Sequence, residues 1–363
     1  MLELISEPYI IVGIFFSSLI ITWVSIPSIV KVANLKHLYD TPDERKIHKG
    51  NVPTLGGLAV FSGFTVSVLF FSDFYQIPEL KFILAAVVIL FFVGIKDDIL
   101  MIAPLTKLIG QIFAASLIVL FSDLQITHFH GFFGINEIPE YIGIPLSIFI
   151  FIVIINGFNL IDGIDGLSAS IGVVVSITLG IWFYLTGEFQ YALLTTALTG
   201  SLTGFLRFNV FSVKNKIFLG DTGSLILGLL ISVPIIKFNE MNVTHNFDYS
   251  KYGAPAISIA ILVIPLYDTI RVMFIRFFQG KPVFKPDKQH IHHVFIHLGL
   301  SHKQAVLLLV VINIVFVAAA LEIHNLMGIR RLFFVFLLAS MIIFQIPVYF
   351  SRKRMKKNIK DRV

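Results

Sequence analysis

The sequence predicts an all-α, polytopic membrane protein, on three observations. Of its 363 residues, 56% are apolar and only 14% charged, with a mean hydropathy of +0.87. A water-soluble globule carries about 25% charged residues, so this chain cannot clothe an ordinary folded surface in solvated side chains. Its apolar residues also fall into runs of the length lipid demands, since a hydrocarbon core of about 30 Å takes about 20 helical residues. Lys and Arg, finally, concentrate in alternate loops between the runs. Disorder, single-span and monotopic arrangements are excluded. The absence of cysteine removes disulfides, thiolate metal sites and cysteine nucleophiles, leaving oxygen and imidazole groups to do the chemistry.

The runs lie at 8–32, 53–72, 81–95, 104–122, 142–157, 167–186, 190–207, 219–237, 254–276, 304–323 and 331–350. The third and fifth are short and the ninth is interrupted by Pro265, so ten spans is the alternative to eleven. With the N-terminus outside, 23 of the 28 Lys and Arg fall on the cytoplasmic side, while carboxylates divide evenly at 11 a side. That asymmetry gives an N-out, C-in topology. The first run carries Glu3 and Glu7 in place of a basic leader and is expected to stay attached. Residues 1–363 read as one domain, with a basic tail over 351–363 that anchors topology beside anionic headgroups and has no nucleic-acid role.

Each of the five cytoplasmic loops holds a polar cluster that a connector would not need. The first runs from Asp43 through Lys49 to Pro53-Thr54-Leu55-Gly56-Gly57, where a rigid turn at a helix start is expected to leave N–H groups free for an anion. The second is Lys96-Asp97-Asp98, two adjacent carboxylates at a span end that can share a divalent metal or act as a base. In the third, Asn156 to Leu167, three glycines make irregular backbone, and Asp162 and Asp165 can project to one side toward a cation or a ribose and base edge. The fourth, Gly220-Asp221-Thr222-Gly223-Ser224, sets a carboxylate beside expected free N–H groups, suited to magnesium against phosphate. The fifth runs from Asp268 through Arg271 and Arg276 to His290-Ile291-His292-His293, whose spacing suits phosphate contact better than zinc.

Taken in this order, the five clusters resemble the polyprenyl-phosphate N-acetylhexosamine-1-phosphate transferase family over about residues 45–300. The resemblance implies transfer of a sugar-1-phosphate from a UDP-sugar to undecaprenyl or another polyprenyl phosphate, with Mg²⁺ (or Mn²⁺) and release of UMP. It also implies an active site on the cytoplasmic face of the inner membrane, in a pathway that initiates cell-envelope polysaccharide, and a homodimer as one arrangement. The segment Pro286 to His293 is similar to the branch acting on UDP-N-acetylglucosamine, whereas the phospho-N-acetylmuramoyl-pentapeptide transferase branch has three consecutive histidines. That branch is the alternative, and a transporter the non-enzyme one, although a transporter would spread its polar groups across midplanes and both faces.

Phosphoryl transfer depends on positioning and charge neutralisation. The resemblance then implies Asp221 and Asp98 as metal ligands and Asp97 with Asp98 as metal or base groups. His290, His292, His293 and Arg276 would grip phosphate, Asn159, Asp162 and Asp165 would read nucleotide or sugar, and Lys49 and Thr54 would lie beside them.

Overall fold

The computed structural model describes residues 6–39, 52–73, 76–243, 249–251, 253–280 and 291–360. Lys49 and His290 lie outside them, as does the side chain of His292. The described residues form thirteen α-helices and no β-strand, only an isolated antiparallel bridge between His128 and Glu137. Each apolar run is helical: α1 Glu7–Leu35, α2 Gly56–Phe71, α3 Leu80–Leu100, α4 Pro104–Phe121, α5 Glu140–Ile161, α6 Leu167–Leu185, α7 Phe189–Phe211, α8 Gly220–Met241, the pair α9 Ala254–Ile261 and α10 Val263–Phe278, α12 His302–Ile323 and α13 Ile329–Lys360. A short helix, α11 Ile291–His297, falls in the basic segment where no helix is expected. Seven of these helices are long and apolar enough to cross a bilayer, and the bent α9–α10 pair brings the number to eight if it is counted as one span. The chain is an integral membrane protein. α2 has only 16 residues, α3 carries Lys81, Lys96, Asp97 and Asp98, and α7 is rich in Thr, Ser and Gly.

α8 is the central shaft, packed against α2, α3, α5 and α6. The most apolar window of α8 is 89% buried, against 28% for α1 and α4, whose exposed faces are apolar and suited to lipid. α1 meets α7 at Gly200 and Gly204, where a Cβ would strike the α1 backbone, the small-residue contact by which helices approach closely in lipid.

The ninth run breaks by 81° at Leu262, a turn earlier than its proline. Proline lacks the N–H that would bond four residues back, so Pro265 frees the carbonyl of Ile261. The fully buried Asn313 of α12 donates to that carbonyl at 2.9 Å, which makes the break tolerable inside the bundle.

Candidate active site

The two Pro/Gly-rich helix starts are locked together. Phe218 N–H donates to Pro53 O at 2.8 Å, Gly56 N–H to Phe218 O at 2.9 Å and Gly57 N–H to Leu219 O at 2.8 Å. The glycine N–H groups expected to be free for an anion are therefore taken by backbone, because the pairing lets α2 and α8 start side by side. Gly220 makes the approach possible: its φ is +73°, and a Cβ there would land on the Thr54 carbonyl oxygen and crowd Asp98.

The N-terminus of α8 is also occupied. Asp98, two residues from the end of α3, accepts from Asp221 N–H at 2.7 Å through one oxygen, and from Thr222 N–H at 3.0 Å and Thr222 Oγ1 at 2.6 Å through the other. A carboxylate supplied by another helix thus caps α8, in place of Asp221, Thr222 or Ser224. Asp97 closes the next turn: its Oδ1 accepts the Ile102 N–H at 2.9 Å beside the left-handed Met101, and the chain folds back into α4.

That return brings in Lys107, in the first turns of α4. Its ammonium stands 3.1 Å from Asp97 Oδ2, hydrogen-bonds to Asp221 Oδ1 and donates to Asn159 Oδ1 at 3.4 Å. Asn159 in turn donates to Asp221 Oδ1 at 2.7 Å and to Ser224 Oγ at 2.8 Å. One turn deeper, the buried Gln111 and Asn156 form a reciprocal amide pair, Asn156 Nδ2 donating to Gln111 Oε1 at 2.8 Å. α4 and α5 therefore meet through two matched polar rungs, Lys107 with Asn159 and Gln111 with Asn156.

Asp162 and Asp165 flank the group on the loop after α5. Ser168 donates to Asp162, and Lys216 pairs with Asp165 at 2.6 Å. Burial pushes the Asp162 carboxyl well above the usual carboxylate range; the Ser168 bond opposes this, and the negative charges of Asp221, Asp98 and Asp165 add to it. Arg276 is buried near the end of α10, and His293 is half-buried on α11.

The structure thus gathers Thr54, Asp97, Asp98, Asn159, Asp162 and Asp221 at one end of the bundle, with Asp165 alongside. Sequence reasoning missed Lys107, which entered only as an orientation charge, along with Gln111, Ser168 and Lys216. A signal for Lys107 was present: a cation in the first turns of a helix opposes the macrodipole and needs acidic partners.

The donor set suits a hard cation. Asp97, Asp221 and the Asn159 carbonyl offer only oxygen, around the point the Lys107 ammonium fills. Among the described residues no three or more His, Cys, Asp and Glu are arranged to hold a metal by themselves. Magnesium is a hard cation that takes only one or two carboxylates and completes its shell with water and substrate phosphate.

Comparison with known proteins places the chain in a family. The glycosyl transferase family 4 profile matches residues 80–239, spanning α3 through α8. The probable undecaprenyl-phosphate N-acetylglucosaminyl 1-phosphate transferase of Bacillus subtilis (strain 168) is 31% identical over 333 residues, 90% of this chain and 89% of that protein. The undecaprenyl-phosphate alpha-N-acetylglucosaminyl 1-phosphate transferases of Escherichia coli (strain K12) and Yersinia pestis are each 30% identical, covering 77% of this chain and 74% and 75% of their own lengths. On this likeness and the helices that carry it, the chain belongs to glycosyl transferase family 4 and is a glycosyl-1-phosphate transferase.

Proposed function

We propose that the protein transfers N-acetylglucosamine-1-phosphate from UDP-N-acetylglucosamine to undecaprenyl phosphate, releasing UMP. The carrying observation is the convergence of Asp97, Asp221 and Asn159 on the Lys107 ammonium. The relatives' names supply the acceptor and the sugar, and the His-Ile-His-His segment supports the same branch. In the direct form of the reaction, to which a route through an aspartyl-phosphate is the alternative, an oxygen of the lipid phosphate attacks the β-phosphorus. The bond from that phosphorus to the bridging oxygen breaks, and UMP leaves with the bridging oxygen and its electron pair.

The single Lys107 ammonium stands against two carboxylates, Asp97 and Asp221, which leaves a local negative excess. Two phosphorylated substrates would add to this negative excess, so a divalent cation is required for them to approach. Asp221 and Asp97 would hold Mg²⁺, or Mn²⁺ in its place, and the ion would neutralise pyrophosphate charge. Asp98 is better read as a positioning residue than as a ligand or base, since both its oxygens serve the first turn of α8. With the ion between the two acids, the Lys107 ammonium would turn from them to phosphate oxygen. A lipid phosphate monoester is already ionised near neutral pH, so its attack needs little help from a base.

Asn159, Asp162 and Asp165 would select nucleotide or sugar, with Thr54 and Lys49 beside them, while His290, His292, His293 and Arg276 would grip phosphate. The bundle is read as eleven spans, N-out and C-in, in the cytoplasmic membrane with the acidic group on the cytoplasmic face. The test is a panel of UDP-sugars offered with undecaprenyl phosphate and Mg²⁺, read as lipid-linked product. Product from UDP-N-acetylglucosamine is expected; product only from a muramoyl-pentapeptide donor, or none from any donor, would overturn the reading.

A further inference from the structure

We propose that Asp268 is a positioning residue for the transfer, its carboxylate fixing the backbone on which His292 and His293 stand. Asp268 lies on α10 with no exposed surface, and its Oδ1 accepts the N–H of Ile291, the first residue of α11, at 2.8 Å. The same oxygen is 3.8 Å from Nη1 of the buried Arg271. Enclosing a carboxylate is unfavourable even when it is paired, and apolar packing alone would hold a short helix against its neighbour. What the carboxylate adds is register: it fixes which residue of α11 meets α10.

α10 is itself in register with the acidic group. Pro265 and Thr269 bracket Asp268 and lie against Gly157 of α5, where an added Cβ would come 3.2 Å from Pro265 Cβ and 3.5 Å from Thr269 Oγ1. Thr269 Oγ1 tightens this turn by donating to Pro265 O at 2.7 Å. Gly157 sits between Asn156 and Asn159, the two residues that meet Gln111 and Lys107. A continuous chain of contacts thus runs from the acids through α5 and α10 to Asp268 and the first turn of α11. Asp98 acts comparably on α8: in both places a carboxylate from a neighbouring helix holds the backbone of a motif-bearing helix.

The inference rests on the reading that the α11 histidines serve the transfer, and its test separates the two. Turnover of UDP-N-acetylglucosamine with undecaprenyl phosphate and Mg²⁺ is measured on the purified full chain, together with amide exchange, for Asp268→Asn, Asp268→Ala, His293→Ala and the double variant Asp268→Ala/His293→Ala. Asp268→Ala is expected to lower kcat about 100-fold, as a small misplacement of reacting groups does. Asp268→Asn, which keeps an oxygen acceptor, should lose less. Exchange at Ile291 should quicken while α8 stays protected, and the double variant should lose less than the product of the two single losses. Ser258→Ala, which removes the Asn239 bond on α9, is the control for losing a buried hydrogen bond and should keep its kcat. Multiplicative losses in the double variant, or unchanged exchange at Ile291 in Asp268→Ala, would overturn the proposal. A wild-type chain inactive on every donor would contradict only the proposed function; exchange at Ile291 would still decide whether Asp268 holds α11.

Discussion

At the scale of single residues, the acids and the cation between them form one unit. Lys107→Met keeps the length of the side chain and removes the charge that meets Asp97 and Asp221 here and would meet phosphate oxygen in the reaction. We expect kcat to fall about 100-fold or more, as when a preorganised electrostatic group is removed, with the folded fraction retained on size exclusion. Asp98→Asn substitutes a group that can accept one N–H but turns its own NH₂ toward Thr222, so α8 loses part of its cap. A loss of about 1 kcal/mol is expected, seen as a lower unfolding temperature in detergent with a parallel loss of turnover. The acids were legible from the sequence because carboxylates at span ends are costly and so demand a use. Lys107 was not: it and Asp221 are 114 residues apart in sequence, and only the fold brings them together. The free N–H groups expected at Gly56 and Gly57 failed for a related reason, since their acceptors, Phe218 and Leu219, lie at the start of a distant span.

Among the elements, helix positions were legible because the length of an apolar run in lipid leaves little choice of structure. The breaks were less so. Pro265 marked the interrupted ninth run, but the bend falls at Leu262, because proline disturbs the turn before it. Whether a break survives depends on a partner elsewhere, here Asn313. Asn313→Ala would leave the Ile261 carbonyl without a donor in apolar surroundings, at a cost of about 1–3 kcal/mol. Thermal unfolding should show it; an unchanged midpoint would mean that the carbonyl finds another donor. α11 escaped notice because its seven residues lie in a stretch whose basic and imidazole content reads as loop.

For the whole molecule, Asp97, Asp98, Lys107, Asn159 and Asp221 gather at the α8 N-terminus, while the opposite end of α8 carries Glu240, which binds Thr127 N–H at 3.0 Å. The chain has no cysteine, so single-cysteine labelling can map its sides without a background. Met101→Cys and Val213→Cys, on exposed loops beside the acidic group, should react with an impermeant reagent from the cytoplasmic side, and Glu137→Cys from the other. The excess of Lys and Arg in alternate loops is what predicts this sidedness.

The most direct measurement is UMP release from UDP-N-acetylglucosamine by the reconstituted chain, with undecaprenyl phosphate and Mg²⁺, comparing wild type with Asp221→Asn. Asp221 is the group to which Lys107 and Asn159 are both bound, so release should fall to background in a variant that remains folded. Release at the wild-type rate would show that the acids around Lys107 are not where the transfer occurs.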